Sequence, residues 1–180
     1  MAKKAALAPM YYYAGKEKIE LTPADDLFAV ESKDVRSVAE ASQSFGSALT
    51  DGLRLVTKDE LGDAVKELSS TRPKYPVYRS NGAIVVALPE VRVEESRKAH
   101  RAKLDKWLAQ HGDEVTMVSR DHDRVVLKPV SGSGVDALRI ANELTKEVSP
   151  EMAQARFIRV IPGPGQVHEA RDRRRTQFDT

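Results

Sequence analysis

Apolar and polar positions alternate in short runs along most of the chain, and the period lengthens to that of a helix in a few places. From Tyr11 to Leu21, YYYAGKEKIEL sets two β-prone segments around Ala14-Gly15-Lys16, which predicts a hairpin. The turn residues of TPADD (22–26) lead into a strand over LFAVES (27–32). Val35, Val38 and Ala39 then share one helical face behind Asp34 as N-cap, with Gly46 as the stop. LRLVT (53–57) reads as a short strand. Leu61, Val65 and Leu68 give KDELGDAVKELSS a helical stripe with Thr57 as its cap. Pro73 and Pro76 break that helix and favour extended backbone.

The next stretch, PVYRSNGAIVVALPEVRVE (76–94), is the richest in strand signals. Ser80-Asn81-Gly82 fits a tight turn between two apolar runs, and Pro89 is expected to end a ladder or mark its edge. In SRKAHRAKLDKWLAQHG, Leu104, Trp107 and Leu108 face one core and Gly112 stops the helix. EVTMVSR (114–120) and RVVLKPV (124–130) form a hairpin around the turn DHD. SGSG (131–134) reads as a hinge. Val135, Leu138, Ala141, Leu144 and Val148 make a helical stripe, closed by Ser149-Pro150 before a last strand, ARFIRVI (155–161).

Residues 90–161 therefore run β-α-β-β-α-β, the order of a four-stranded antiparallel sheet with both helices on one face, the ferredoxin-like plan. The expected class is α+β, in two small sheet-and-helix halves. Residues 1–75 form an N-terminal α+β half with its hairpin, 76–162 the ferredoxin-like domain, and 163–180 a flexible basic tail without apolar period.

Composition narrows the function. Apolar residues at 41% against 31% charged suit a folded rather than a disordered chain. With 29 basic and 27 acidic residues the net charge is +2, which gives no general attraction to nucleic acid or membrane. The absence of cysteine excludes disulfides, thiolate nucleophiles and zinc–sulfur sites. No apolar run is long enough to span a bilayer, and AALAPM is too short for a signal-peptide core. The expected location is cytoplasmic.

Chemistry is sparse. His100 and His111 lie three helical turns apart, too far to share an ion, and DHD (121–123) reads as solvated turn residues rather than ligands. Ser119, Ser131 and Ser133 lie near DHD, but there is no G-x-S-x-G elbow and no phosphate-loop spacing. The chain is expected to be non-catalytic, with no metal and no cofactor. Arg171, Arg173, Arg174 and Arg175 supply an alternative, a basic segment for nucleic acid. The strands EVTMVSR and ARFIRVI offer only Phe157 for base stacking, which counts against it.

Three stretches carry a resemblance. YYYAGKEKIELTPADDLFAVES, PVYRSNGAIVVALPEVRVE and VDALRIANELTKEVSPEMAQARFIRVIP occur in the order seen in the propeptides of bacterial subtilisin-like serine peptidases. The chain resembles such a propeptide over about two thirds of its length, without the motifs around the peptidase's aspartate, histidine and serine. The resemblance implies an inhibitor and folding assistant that binds a subtilisin-like serine peptidase. Its sheet would dock through Met117 and Val126, with Asp121 and Asp123 capping helix N-termini on the partner. The segment from Ile161 onward, with Gly163 and Gly165, would lie in the substrate cleft as an added strand. An assembly or scaffold role, including a homo-oligomer paired through an exposed sheet edge, is the other alternative.

Overall fold

The computed structural model describes residues 10–31, 47–48, 52–61 and 73–161. The helix expected from Asp34, most of the one after Thr57, and the tail beyond Ile161 lie outside these residues. The described elements are β1 (Tyr11–Ala14), β2 (Glu17–Glu20), β3 (Thr22–Pro23), β4 (Leu27–Glu31), β5 (Ser47–Ala48), β6 (Leu53–Thr57), the single turn α1 (Lys58–Leu61), β7 (Val77–Ser80) and β8 (Ala83–Glu94). They continue with α2 (Lys98–Gln110), β9 (Val115–Asp121), β10 (Arg124–Pro129), α3 (Gly134–Glu147) and β11 (Met152–Val160). The fold is mixed α+β, and each strand pairing is antiparallel.

Both expected tight turns form. Gly15 takes φ +66° between Ala14 and Glu17, which pair directly. Asn81 and Gly82, at φ +48° and +76°, join β7 to β8 with Ser80 opposite Ala83. Positive φ at both central positions is what the right-handed strand twist asks of a two-residue hairpin, and Asn-Gly adopts it at low cost.

β8 is the spine. Along one edge it pairs first with β7, through Ala83–Val86, and then with β10, through Val91–Glu94. Along the other edge it pairs with β11 over nearly its whole length. In space the strands lie in the order β11, β8, β10, β9, with α2 on the connection from β8 to β9 and α3 on that from β10 to β11.

Pro89 does not end this strand; it lies well inside the 12 residues of β8. The reason is local. The ladder to β7 stops at Val86 and the ladder to β10 starts at Val91, so the missing N–H falls between two partners. On the β11 side, Ala155 pairs with Val91 and Phe157 with Ala87, so Leu88, Pro89 and Glu90 oppose Arg156 alone. A bulge of this kind spares the proline from a bond it cannot make.

The larger core lies between this sheet and the two long helices. Ala87, Val91 and Val93 of β8, Val125 and Leu127 of β10, and Ala153 and Ala155 of β11 meet Leu104 and Trp107 of α2 and Leu138, Ile140, Ala141 and Leu144 of α3. Trp107 also donates its indole N–H to Glu147 at 2.8 Å, which ties α2 to α3. The first hairpin closes the same core: Tyr12 and Leu21 belong to it, Tyr12 packs on Phe157 at 4.8 Å, and Asn142 of α3 donates to the Tyr11 carbonyl at 3.0 Å. Residues 11–21 thus share a core with segments on the far side of residue 76.

A smaller core lies on the opposite side of β8. There Val86, with Ile84 and Ile158, meets Ala24, Leu27 and Leu55 beside the three-stranded sheet β4-β6-β5. Arg79 holds Asp26 through two bonds of 2.7 Å, and Glu31 accepts from Lys74 at 2.7 Å and from Tyr75 at 2.8 Å.

The stretch expected to be a hinge is a clamp. Ser133 caps α3 by accepting from the Val135 N–H at 3.2 Å, and its hydroxyl donates to the Pro73 carbonyl at 2.7 Å. The Gly134 N–H reaches the Lys74 carbonyl at 2.8 Å. A side chain at Gly134 would collide with the Ala87 carbonyl and stand 2.7 Å from Pro76 Cδ, so glycine is required here by close approach.

Candidate functional site

The β9–β10 hairpin carries four of the residues singled out in the sequence. Val126 is in register with Arg92 on one neighbour and Ser119 on the other, on the sheet face away from the helices. Met117 is in register with Leu127, whose side chain is in the core, so Met117 and Val126 do not share a face. The register slips between Val126 and Leu127, leaving Val118 as an extra residue in β9. Met117 and Val118 are both exposed. Asp121 and Asp123 stand at the exposed tip on either side of His122, which has φ +48° and sits 3.6 Å from Asp121. Among the described residues no group of three or more histidine or carboxylate side chains could hold a metal ion.

Sequence reasoning missed the device that fixes this hairpin. Glu95 is 2% exposed, and Arg120 grips it with Nε at 2.7 Å and Nη2 at 3.0 Å. Arg101 lies 3.4 Å from the same carboxylate, and Arg120 also reaches Asp105 of α2 at 2.8 Å. The hydrogen bond to Glu95, with that to Asp105 behind it, pushes the Arg120 guanidinium further above its already high range. The backbone joins in, since the Glu95 N–H donates to the Asp123 carbonyl at 2.7 Å. The alternation itself held the signal: Val91 and Val93 point to the core, so residue 95 follows them inward. An acid at that position requires a buried base.

The face of this sheet away from the helices is charged. Glu90, Arg92, Glu94, Val126, Lys128, Gln154 and Arg156 alternate with the core positions, and Glu90 pairs with Arg92 at 3.2 Å and Arg156 at 3.7 Å. Phe157 is on the other side, against Tyr12. The one aromatic that these strands offered for base stacking is therefore already covered.

β11 leads to the remaining candidates. It has β8 as its sole strand neighbour among the described residues, and it ends beside Ile161, which is 75% exposed. Gly163, Gly165, Arg171, Arg173, Arg174 and Arg175 lie outside the described residues. Beside β11 and the first hairpin is a groove of about 400 Å³ lined by Tyr12, Ala14, Ile19, Ser80, Asn81, Gly82, Ala83, Gln154, Arg159 and Ile161. Arg159 donates to the Tyr12 hydroxyl at 2.7 Å. Neither Arg159 nor Tyr12 stood out in the sequence, because their meeting depends on the hairpin folding back over β11.

Burial pushes the Tyr78 phenol up to about 12. His111 stacks on Trp107 at 4.0 Å. No helix among the described residues is long and apolar enough to cross a membrane. No family model matches the chain, and comparison with curated proteins and with solved structures finds no significant relative.

Proposed function

We propose that this chain is a non-catalytic protein-binding module that restrains, or assists the folding of, a subtilisin-like serine peptidase. The observation that carries the reading is the end of β11. A strand with one strand neighbour among the described residues runs out to an exposed Ile161, and the chain continues from there to Thr180. Such a continuation is suited to strand addition in a substrate cleft, where main-chain hydrogen bonds supply affinity and Gly163 and Gly165 let the backbone approach closely. Val126 on the open sheet face and the acidic tip residues Asp121 and Asp123 are the flanking contacts of this reading.

We also take residues 76–162 to be a ferredoxin-like module. The order β11, β8, β10, β9, with α2 and α3 in one core, supports this. A cytoplasmic location suits a chain without cysteine.

The test is inhibition of a purified subtilisin-type peptidase acting on a chromogenic substrate. The intact chain should slow hydrolysis, and removal of residues 163–180 should abolish the effect while leaving the fold intact. Equal inhibition with and without that segment would sink the reading.

A second reading, self-association, rests on Met117 and Val118. They are adjacent apolar side chains on β9, 46% and 53% exposed, and a second copy could cover them. It predicts a mass in solution that doubles with concentration, and that a Met117→Lys, Val118→Lys variant holds at the monomer. A constant monomeric mass would remove it.

A further inference from the structure

β11 is bordered by a groove whose other walls are the first hairpin and the β7–β8 turn, Ser80 to Ala83. Tyr12, Ala14 and Ile19 line it from the hairpin, and Gln154, Arg159 and Ile161 line it from β11 and the residue that follows. Its volume of about 400 Å³ falls in the range of real binding clefts. Two features of its lining ask for a particular occupant. Arg159 is exposed, and the bond it makes among the described residues is to a neutral phenol, so most of its five N–H donors are left over and its charge has no counter-ion there. Ile161 is largely exposed, and Ile19 is half-buried at the hairpin side of the same groove.

We propose that this groove takes an extended segment of another protein as an added strand on β11, with a carboxylate of that segment on Arg159 and an apolar side chain between Ile19 and Ile161. An edge strand presents unpaired backbone groups that an extended chain satisfies by main-chain bonding. Arginine is the side chain best shaped to take a carboxylate through two parallel bonds. The hydroxyl of Tyr12 fixes the guanidinium beforehand, which lowers the entropy lost on binding. This site uses β11 itself and the hairpin, not the residues beyond Ile161, so it stands apart from the peptidase reading.

The experiment is an amide-shift titration of the full chain with an acetylated octapeptide that alternates threonine and valine around one central glutamate. Saturable shifts should appear at Ala14, Gly82, Gln154 and Ile161 and leave β9 unmoved. Replacing the peptide's glutamate by glutamine should weaken binding about threefold to fivefold, the size expected of one partly exposed ion pair. Arg159→Gln should erase the difference between the two peptides. Because the peptide comparison is made on the native chain, it decides the matter even if that variant folds poorly. Equal binding of glutamate and lysine peptides, shifts centred on β9, a chain that dimerises through β11 and ignores the peptide, or no saturable shift would each overturn the proposal.

Discussion

Two outer strands of the six-stranded sheet, β9 and β11, are built differently. β9 is bulged at Val118 and locked by Arg120 onto Glu95 and Asp105, so its outer side is a poor template for another strand. β11 is longer, is paired with β8 through most of its length, and borders an open groove with a cation in it. One edge is blunted by a buried charge cluster and the other is left available. The contrast teaches that the chain spends its charged interior on holding one hairpin still, while the strand that leads into the C-terminal segment keeps a single strand neighbour among the described residues, the edge on which the proposed recognition relies.

The sharpest way to break the contrast is to remove its anchor. Arg120→Ala leaves the Glu95 carboxylate buried with only Arg101 nearby, and should cost about 3–5 kcal/mol in urea unfolding. Replacing Glu95 and Arg120 together by apolar residues of similar volume should return most of that loss. If the single and double variants were equally destabilised, the buried pair would not be what fixes β9.

A smaller effect should follow pH. The Tyr78 phenol, pushed up to about 12 by burial, has a folded value above its unfolded value of about 10. A raised folded value means its stability contribution is complete below about pH 10 and is lost as pH climbs toward 12. The loss over that window should be about 2–3 kcal/mol. Tyr78→Phe should flatten it, as read by denaturant midpoints at each pH.

Gly134→Ala tests the clamp that seats α3 beneath β8. The added methyl meets the Ala87 carbonyl, and overpacking of this kind costs about 1–3 kcal/mol. Thermal melts should show a lower midpoint with an unchanged far-ultraviolet spectrum. The smallest effect belongs to the blunted edge: Met117→Lys with Val118→Lys should shift stability by less than about 0.5 kcal/mol, because both side chains already face water.

Local patterns carried much of this fold. Asn81-Gly82 and Gly15 announced their turns, and Val135, Leu138, Ala141 and Leu144 announced the buried stripe of α3. What the sequence hid depends on partners far along the chain. Pro89 reads as the end of a ladder, and that the strand nevertheless runs through it shows only when β7 and β10 are seen to share one edge of β8. The glycines of SGSG look like freedom until Pro73, Lys74 and Ala87 close around Ser133 and Gly134. The candidate groove was hidden for the same reason, since Tyr12 and Arg159 meet only when the hairpin packs on β11. Met117 and Val126 were separated by a one-residue bulge that no periodicity reveals.

The most direct test of the account is to compare two altered chains as peptidase inhibitors under one set of conditions, measuring the inhibition constant of each. The Met117→Lys, Val118→Lys chain should inhibit as well as the native one, and the chain lacking residues 163–180 should not inhibit at all. A potent truncated chain beside a powerless β9 variant would contradict the account, because recognition would then run through the edge that the buried charges hold shut.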